Sequence, residues 1–221
     1  PLITFEYITN HMTWPTEWKC HMIFIAWADY QQTGDPYLLT KYYGFLTNSC
    51  MMLASAGPDG LVQSTPVGPF TLGGDIIDWF RISGDGVGNI DGYVPEATNA
   101  VINAFSYRCL TIMARAAQLT GHAADAANFS TRASQVYSNY NNAFWNSGSQ
   151  SYIDGEGTTH ASANANFFPL AFGLVPSTNQ TATVNFLHSR IAAKGAMPCG
   201  VYGAQYLLEG MFLAGDADAA L

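Results

Sequence analysis

The chain has 221 residues, of which 48% are hydrophobic and 11% are charged, and its formal net charge at pH 7 is −8. This apolar composition excludes a disordered chain. The excess of acidic side chains argues against binding to nucleic acid or to anionic membrane surfaces, whose phosphates carry charge of the same sign. No apolar stretch reaches the roughly 18 residues that cross a bilayer, and the four cysteines form neither a CxxC pair nor a metal-ligand spacing.

The first predicted element is a helix over residues 18–33, WKCHMIFIAWADYQQT, which is apolar on most of its faces. Such a helix lies in the interior of a protein. Gly34 follows it and can supply the left-handed cap that ends a helix. Asp35 can cap a second helix over about 36–54, with Pro36 in the first turn. Polar positions on this second helix indicate that one side faces water, so the pair consists of an inner and an outer helix.

The order of apolar helix, glycine and more polar helix recurs along the chain. The later inner helices are predicted over 97–120, 161–172 and 201–214. Ser177 or Thr178 is expected to cap the outer helix of the third pair. The glycines that end the four inner helices are Gly34, Gly121, Gly173 and Gly215. Recurrence at about 40–50 residues predicts an all-α array of helical hairpins that share an inner layer, either an α/α toroid or a solenoid.

The connections between these helices differ in length at the two ends of the array. The turns after the inner helices are short, whereas the returns from outer to inner helices are longer and cover residues 55–96, 146–160 and 194–200. Long loops on a rigid scaffold commonly carry function. The same end holds the N-termini of the inner helices, whose N–H groups favour carboxylates and other oxygen atoms. We therefore expect a functional site at this end.

The segment TWPTEWKCH places Trp14, Glu17 and Trp18 at the start of the first inner helix. Two tryptophans beside a carboxylate suit a sugar subsite, because rings stack on apolar sugar faces and a carboxylate accepts hydrogen bonds from hydroxyl groups. The structural alternative is a hydrophobic plug in which Glu17 is simply an acidic residue of the first helical turn.

The later loops contribute further candidates. Asp78 and Trp79 lie in GGDIIDWFRISGDGVGNIDGY, a glycine-rich loop whose acidic residues follow no EF-hand pattern, so we expect no metal site. His160 lies in YIDGEGTTHASANANFF and can be a substrate ligand or simply a hydrogen-bonding partner. Tyr202 begins the last inner helix in MPCGVYGAQYLLEG.

Other chemistries lack their motifs: the sequence has no phosphate-binding glycine loop, no HExxH and no GxSxG. Carboxylates and aromatic rings at one end of a helical array remain, and this combination is typical of carbohydrate-active enzymes.

The stretches DGEGTTHASANANFFPLAFGLVP and KGAMPCGVYGAQYLLEGMFLAGDADAAL resemble the catalytic domain of bacterial and fungal α-L-rhamnosidases, glycoside hydrolase family 78. TWPTEW, QTGD, DIIDW and NAVINAFSYRCL resemble it too, in the family's order. The resemblance implies an (α/α)6 barrel of six helical hairpins. It also implies hydrolysis of terminal α-L-rhamnose from glycosides or polysaccharides with inversion, without a cofactor.

The resemblance also implies roles for particular residues. The family's pocket tryptophans correspond to Trp18 or Trp14 and to Trp79, and Asp78 and His160 stand in matching motifs. Asn164 departs from the family, which has His at this position. The family's general acid lies upstream of the part that matches Pro1, and its general base lies beyond Leu221.

We therefore expect residues 1–221 to form one partial (α/α)6 domain, with about four of the six hairpins. Its partners would be a rhamnose-containing carbohydrate and the missing segments of the same polypeptide. Neither Glu17 nor Glu156 is assigned as a catalyst, no compartment is assigned, and the isolated chain is expected to be inactive.

Two alternatives stay open at this point. One is a non-catalytic scaffold of helical repeats that holds a partner on its inner surface. The other is a different toroid-fold enzyme that acts on carbohydrates. Long aromatic and acidic loops at only one end favour an enzyme over a scaffold, because helical-repeat scaffolds usually keep all their turns short.

Overall fold

The computed structural model describes residues 16–51, 56–63, 77–78, 91–94 and 96–220. Within these ranges the chain forms nine helices and one two-stranded antiparallel hairpin. The helices are α1 (Thr16–Thr33), α2 (Tyr37–Lys41), α3 (Tyr43–Met51), α4 (Ala100–Leu119), α5 (Ala123–Phe144), α6 (Ala163–Phe172), α7 (Ser177–Lys194), α8 (Val201–Leu213) and α9 (Ala217–Ala220). The strands are β1 (Trp145–Asn146) and β2 (Ser151–Tyr152).

The predicted recurrence of hairpins is confirmed. Each of the inner helices α1, α4, α6 and α8 is followed by a glycine in the left-handed conformation, with φ of 72°, 83°, 74° and 85° at Gly34, Gly121, Gly173 and Gly215. Each glycine leads into the next, outer helix after a short turn. The described residues therefore hold three inner–outer pairs and the beginning of a fourth.

The inner and outer helices bury different amounts of surface. Helix α4 packs between α1 and α6, and α6 packs against α8. All ten residues of α6 are buried. The outer helix α5 buries a single stripe at helical spacing, Phe129, Ala133, Val136, Tyr140 and Phe144. The inner helices thus form a continuous layer, as the sequence predicts.

Aromatic side chains fill the space between the inner helices. Phe24 of α1, Phe105 of α4, Phe168 and Phe172 of α6 and Tyr206 of α8 form ring pairs with centroids 5.1–6.0 Å apart. Phe24 and Phe105 are stacked and the other pairs are tilted or edge-on, all of them arrangements that aromatic pairs favour. These ring contacts join α1, α4, α6 and α8 into one packed layer.

Three local predictions need correction. The outer helix predicted over 36–54 is broken at Tyr42 into α2 and α3, and Tyr43 beyond the break stacks on His122, with ring centroids 3.7 Å apart. Neither Ser177 nor Thr178 caps α7. The N-cap is Pro176, whose carbonyl already accepts the N–H of Asn179, so the helix begins one residue earlier than expected.

The N-cap of α2 is Pro36 and not Asp35 as predicted, although Asp35 Oδ1 accepts the N–H of Tyr37 at 3.0 Å. The predicted loop over 146–160 also contains part of the β1–β2 hairpin. In the ranges that the structure covers, no helix is both long enough and apolar enough to cross a membrane.

Candidate functional site

Ile77 and Asp78, the two described residues within 64–90, lie between the N-terminal ends of three inner helices. Hydrogen bonds connect them to Glu17 of α1, to Asn164 of α6 and to the start of α8. The loop end of the array is therefore the place where residues from distant parts of the chain meet.

Glu17 lies in the first turn of α1 and is fully buried. Its Oε1 accepts the backbone N–H of Ile77 at 2.5 Å. A carboxylate at this position is favoured by the positive end of the helix dipole. Ile77 itself has a φ of 63°, in the left-handed region that a β-branched residue seldom adopts.

Asp78 acts as the cap of α8. The N-cap residue of that helix is Gly200, which has no side chain to accept the first N–H groups. Asp78 takes over this role: Oδ2 accepts the N–H of Gly200 at 2.5 Å and Oδ1 accepts the N–H of Gly203 at 2.8 Å. Asn164 donates to Oδ2 from α6, at 3.4 Å. This buried carboxylate thus joins the loop to two inner helices.

Tyr202, in the first turn of α8, packs against His21 of α1. Its hydroxyl lies 3.2 Å from His21 Nε2. His21 Nδ1 lies 2.8 Å from the carbonyl oxygen of Glu17, which can only accept, so Nδ1 carries the proton. Nε2 is then the acceptor, and the hydroxyl of Tyr206 donates to it at 3.1 Å.

The ionisation of this cluster follows from its burial. Burial, with the Glu17 carboxylate as the next cause, raises the pKa of Tyr202 far above its usual value. Burial also lowers the pKa of His21, against the opposing hydrogen bond to the Glu17 carbonyl. The phenol and the imidazole are therefore neutral near pH 7 and lie beside two buried carboxylates. Neutral donors together with charged acceptors suit the recognition of hydroxyl groups.

His160 lies in the loop before α6 and is partly exposed. Its Nδ1 is 2.6 Å from Oδ2 of Asp154, whose side chain is fully buried. A carboxylate oxygen accepts, so Nδ1 donates. Asp154 also accepts the N–H groups of Val94 and Ser162. The histidine ring is consequently held in one orientation by a carboxylate that is itself fixed by the backbone.

A fourth carboxylate lies at the start of α6. Asp91 accepts the N–H of Ala163 at 2.5 Å and receives Arg190 of α7 in a two-pronged ion pair. Ser162, Ala163 and Asn164 are consecutive residues, and they donate to Asp154, Asp91 and Asp78 respectively. The expectation that helix N-termini at this end attract carboxylates is confirmed for α6 and α8.

The structure brings Glu17, Asp78 and Tyr202 into one cluster, and it places His160 beside the cap of α6 through Asp154 and Ser162. Trp14 and Trp79 lie outside the described residues. Trp18 belongs to α1, but its side chain is outside the described part.

His21 was not predicted as a site residue, although its position one helical turn after Glu17 places the two on the same face of α1. The roles of Asp91 and Asp154 as acceptors at the start of α6 could not be predicted from the sequence. Neither residue stands next to this helix in the chain. Asn164 is buried and bonded to Asp78, so this departure from the family pattern is accommodated inside the cluster.

A groove of about 710 Å³ runs between α4 and α5. Tyr107, Arg115 and Tyr137 line it together with small side chains, and it contains none of the predicted site residues. It follows the part of α4 nearer the short turn at Gly121, away from the long loops. Among the described residues, no group of three or more His, Cys, Asp or Glu side chains is arranged to hold a metal ion.

Inner and outer helices paired around an aromatic core, with the site residues gathered at one end, define an array of helical hairpins. The chain belongs to the family of the bacterial alpha-L-rhamnosidase six-hairpin glycosidase domain, whose model matches residues 3–221. Its helices therefore form part of the six-hairpin α/α toroid, as the sequence predicts.

Solved structures share this fold. The Streptomyces avermitilis alpha-L-rhamnosidase complexed with L-rhamnose matches 90% of this chain and 17% of its own, with 20% identity and a TM-score of 0.67. The alpha-L-rhamnosidase from Dictyoglumus thermophilum matches 90% of this chain and 20% of its own, with 22% identity and a TM-score of 0.66.

The rhamnosidase from Klebsiella oxytoca with rhamnose bound matches 95% of this chain and 37% of its own, with 13% identity and a TM-score of 0.74. The chain thus spans between about a sixth and about a third of the length of these proteins. No protein of curated function matches it.

Proposed function

We propose that this chain is part of an α-L-rhamnosidase that removes terminal α-L-rhamnose from glycosides or polysaccharides with inversion at the anomeric carbon. The observation that carries the proposal is the meeting of Glu17, Asp78 and Tyr202 at the loop end of a rhamnosidase-family toroid. Rhamnose is bound in two related structures, which supports a deoxysugar as the substrate.

In this proposal the substrate-binding residues are Trp14, Trp18, Asp78, Trp79, His160 and Tyr202, with Glu17 in the same cluster. The tryptophans offer flat apolar faces to the methyl-bearing sugar ring. Asp78, neutral Tyr202 and the Nε2 atom of His160 offer acceptors and donors to its hydroxyl groups. The fixed orientation of these polar groups reduces the entropy lost on binding.

The general acid and the general base are proposed to lie outside these 221 residues. Inversion requires two carboxyl groups roughly 6.5–9.5 Å apart, one to protonate the leaving oxygen and one to activate water. Asp78, Asp91 and Asp154 are each engaged by backbone N–H groups at helix N-termini. Carboxylates with this capping role are poorly placed to take part in proton transfer.

The test is turnover of an aryl α-L-rhamnoside by the full-length protein, with an aryl α-L-fucoside as the control substrate. We expect release of the aryl group, and NMR of the first-formed sugar should show the β anomer. Binding of rhamnose without turnover would favour the non-catalytic scaffold. Turnover of the fucoside alone would favour a different toroid glycosidase.

The 221-residue chain by itself should give no turnover. Turnover by this chain that is abolished by Glu17→Gln or Glu156→Gln would overturn the assignment of both catalytic groups to other segments.

A further inference from the structure

The backbone at Ile77 is held in a conformation that its side chain disfavours. Its φ of 63° is one of two positive values among the described non-glycine residues, and Ile77 is buried and β-branched. Branching at Cβ makes the left-handed region unfavourable. Such a conformation persists only where the surroundings hold it in place, and it is often found at functional sites.

Glu17 supplies the contact that holds it. The fully buried Oε1 of Glu17 accepts the N–H of Ile77 at 2.5 Å, across 60 residues of sequence. Hydrogen bonds to an ionised acceptor are roughly twice as strong as neutral ones. The carboxylate therefore both satisfies a buried N–H and fixes the plane of the peptide that enters Ile77.

The conformation of Ile77 determines where the next side chain points. Asp78 follows it and reaches the N–H groups of Gly200 and Gly203 at the start of α8. Helices α1 and α8 are the first and last inner helices of the described part, and two adjacent loop residues connect them. Tyr202 lies between the two glycines that Asp78 caps, so its position depends on the same connection.

We propose that Glu17 is a positioning residue: it holds Ile77 in the left-handed conformation and thereby seats Asp78 on α8 beside Tyr202, without touching the sugar itself. The effect on rhamnose binding rests on the proposed function. The effect on the start of α8 does not.

The experiment is a double-mutant cycle in the full-length protein with Glu17→Ala, Ile77→Gly and the double variant. Glycine adopts a φ near 63° without a penalty. In Ile77→Gly the backbone at residue 77 therefore no longer needs the hydrogen bond to Glu17 to hold this conformation. Two quantities are measured for each variant: the dissociation constant for L-rhamnose and the rate of amide hydrogen exchange at Gly200 and Gly203. Glu209→Ala is the matched control, because Glu209 lies on α8 but pairs with Arg108.

We expect Glu17→Ala to weaken rhamnose binding about tenfold and to accelerate exchange at both glycines. In the Ile77→Gly background the same substitution should change both quantities by less than about threefold. Glu209→Ala should change neither. If Glu17→Ala does not fold, Glu17→Gln serves in its place, with a smaller effect in the same direction because the bond to Ile77 becomes neutral.

If Glu17→Ala weakened rhamnose binding and accelerated amide exchange equally in the wild type and in Ile77→Gly, the proposal would be overturned. Glu17 would then act independently of Ile77. Loss of rhamnose binding with unchanged exchange at Gly200 and Gly203 would also overturn it, because Glu17 would then contact the sugar directly. If the wild-type protein does not bind rhamnose, the proposed function fails, and the exchange cycle still decides the role of Glu17.

Discussion

Arg190 and Asp91 form a two-pronged ion pair that ties an outer helix to the loop before α4. Nε of Arg190 lies 2.9 Å from Oδ2 of Asp91 and its Nη2 lies 2.5 Å from Oδ1. Asp91 also accepts the N–H of Ala163, so the pair anchors the start of α6 as well. The guanidinium fork matches the carboxylate geometry in a way that lysine cannot reproduce.

Replacing Arg190 with Met should lower the free energy of unfolding by about 1–2 kcal/mol, because it leaves the mostly buried Asp91 carboxylate without its counter-ion. The free energy of unfolding of Arg190→Lys should lie between those of Arg190→Met and the wild type. Chemical denaturation measures both. Arg115→Met, at an exposed position of α4, is the control and should have little effect. A stability of Arg190→Met equal to that of the wild type would show that the ion pair is only a surface contact.

The buried His21 should make stability depend on pH. Burial lowers its folded-state pKa, whereas in the unfolded chain it titrates near 6.5. Between these two values the unfolded chain binds more protons, so the free energy of unfolding should fall as the pH drops through 6.5 and level off below the folded pKa. The largest slope from one group is about 1.4 kcal/mol per pH unit.

The measurement is urea denaturation of the wild type and of His21→Gln between pH 5 and 8. The free energy of unfolding of His21→Gln should depend less steeply on pH than that of the wild type. The exposed control His122→Gln should show the wild-type dependence. Identical slopes in His21→Gln and the wild type would contradict the prediction.

A side chain at Gly203 should disturb the cap of α8. A Cβ there would lie 2.7 Å from Oδ2 of Asp78 and 2.9 Å from Cζ of Phe167, so both side chains or the start of α8 must move. We expect Gly203→Ala to lower the free energy of unfolding by about 1–3 kcal/mol and to weaken rhamnose binding. Gly44→Ala is the matched control, since nothing lies within 4 Å of its Cβ position. This control should raise stability by up to about 1 kcal/mol. A neutral effect at Gly203 would show that the cap can shift freely.

Asp154→Asn should change the protonation pattern of His160. The wild-type carboxylate accepts from Val94, Ser162 and His160, and an amide presents only one acceptor oxygen. We expect a loss of about 1–3 kcal/mol in stability and a gain of the Nε2–H tautomer in ¹⁵N spectra of His160. Asp216→Asn, which alters the exposed pair with His188, should leave the spectrum of His160 unchanged. An unaltered tautomer in Asp154→Asn would show that Asp154 does not set it.

The helical architecture could be predicted from the sequence because its signals are local. The glycines after the inner helices, such as Gly34 and Gly121, stand next to the helices they end, and all four have the expected conformation. The break at Tyr42 was missed because it coincides with a contact between Tyr43 and His122, which are far apart in sequence. Local patterns carry no information on such contacts.

The location of the candidate site followed from loop lengths, but the partners of its residues did not. Asp78 was expected to offer acceptors to a ligand, and the structure adds its role as the cap of α8, whose donors lie 122 and 125 residues further along the chain. The sequence shows that Gly200 lacks a capping side chain. It does not show which distant carboxylate replaces it.

The contacts of Ile77 and Asp78 have a consequence for how the protein can vary. They fix one point in the connection between α3 and α4, and the hydrogen bonds of Val62 to Asn103 and of Asp91 to Arg190 fix two more. Loop-closure entropy grows slowly with length. Insertions or deletions between these fixed points should therefore cost little, whereas the spacing at Ile77 and Asp78 has to be kept. Length variation among homologous proteins should accordingly fall on both flanks and spare these two positions.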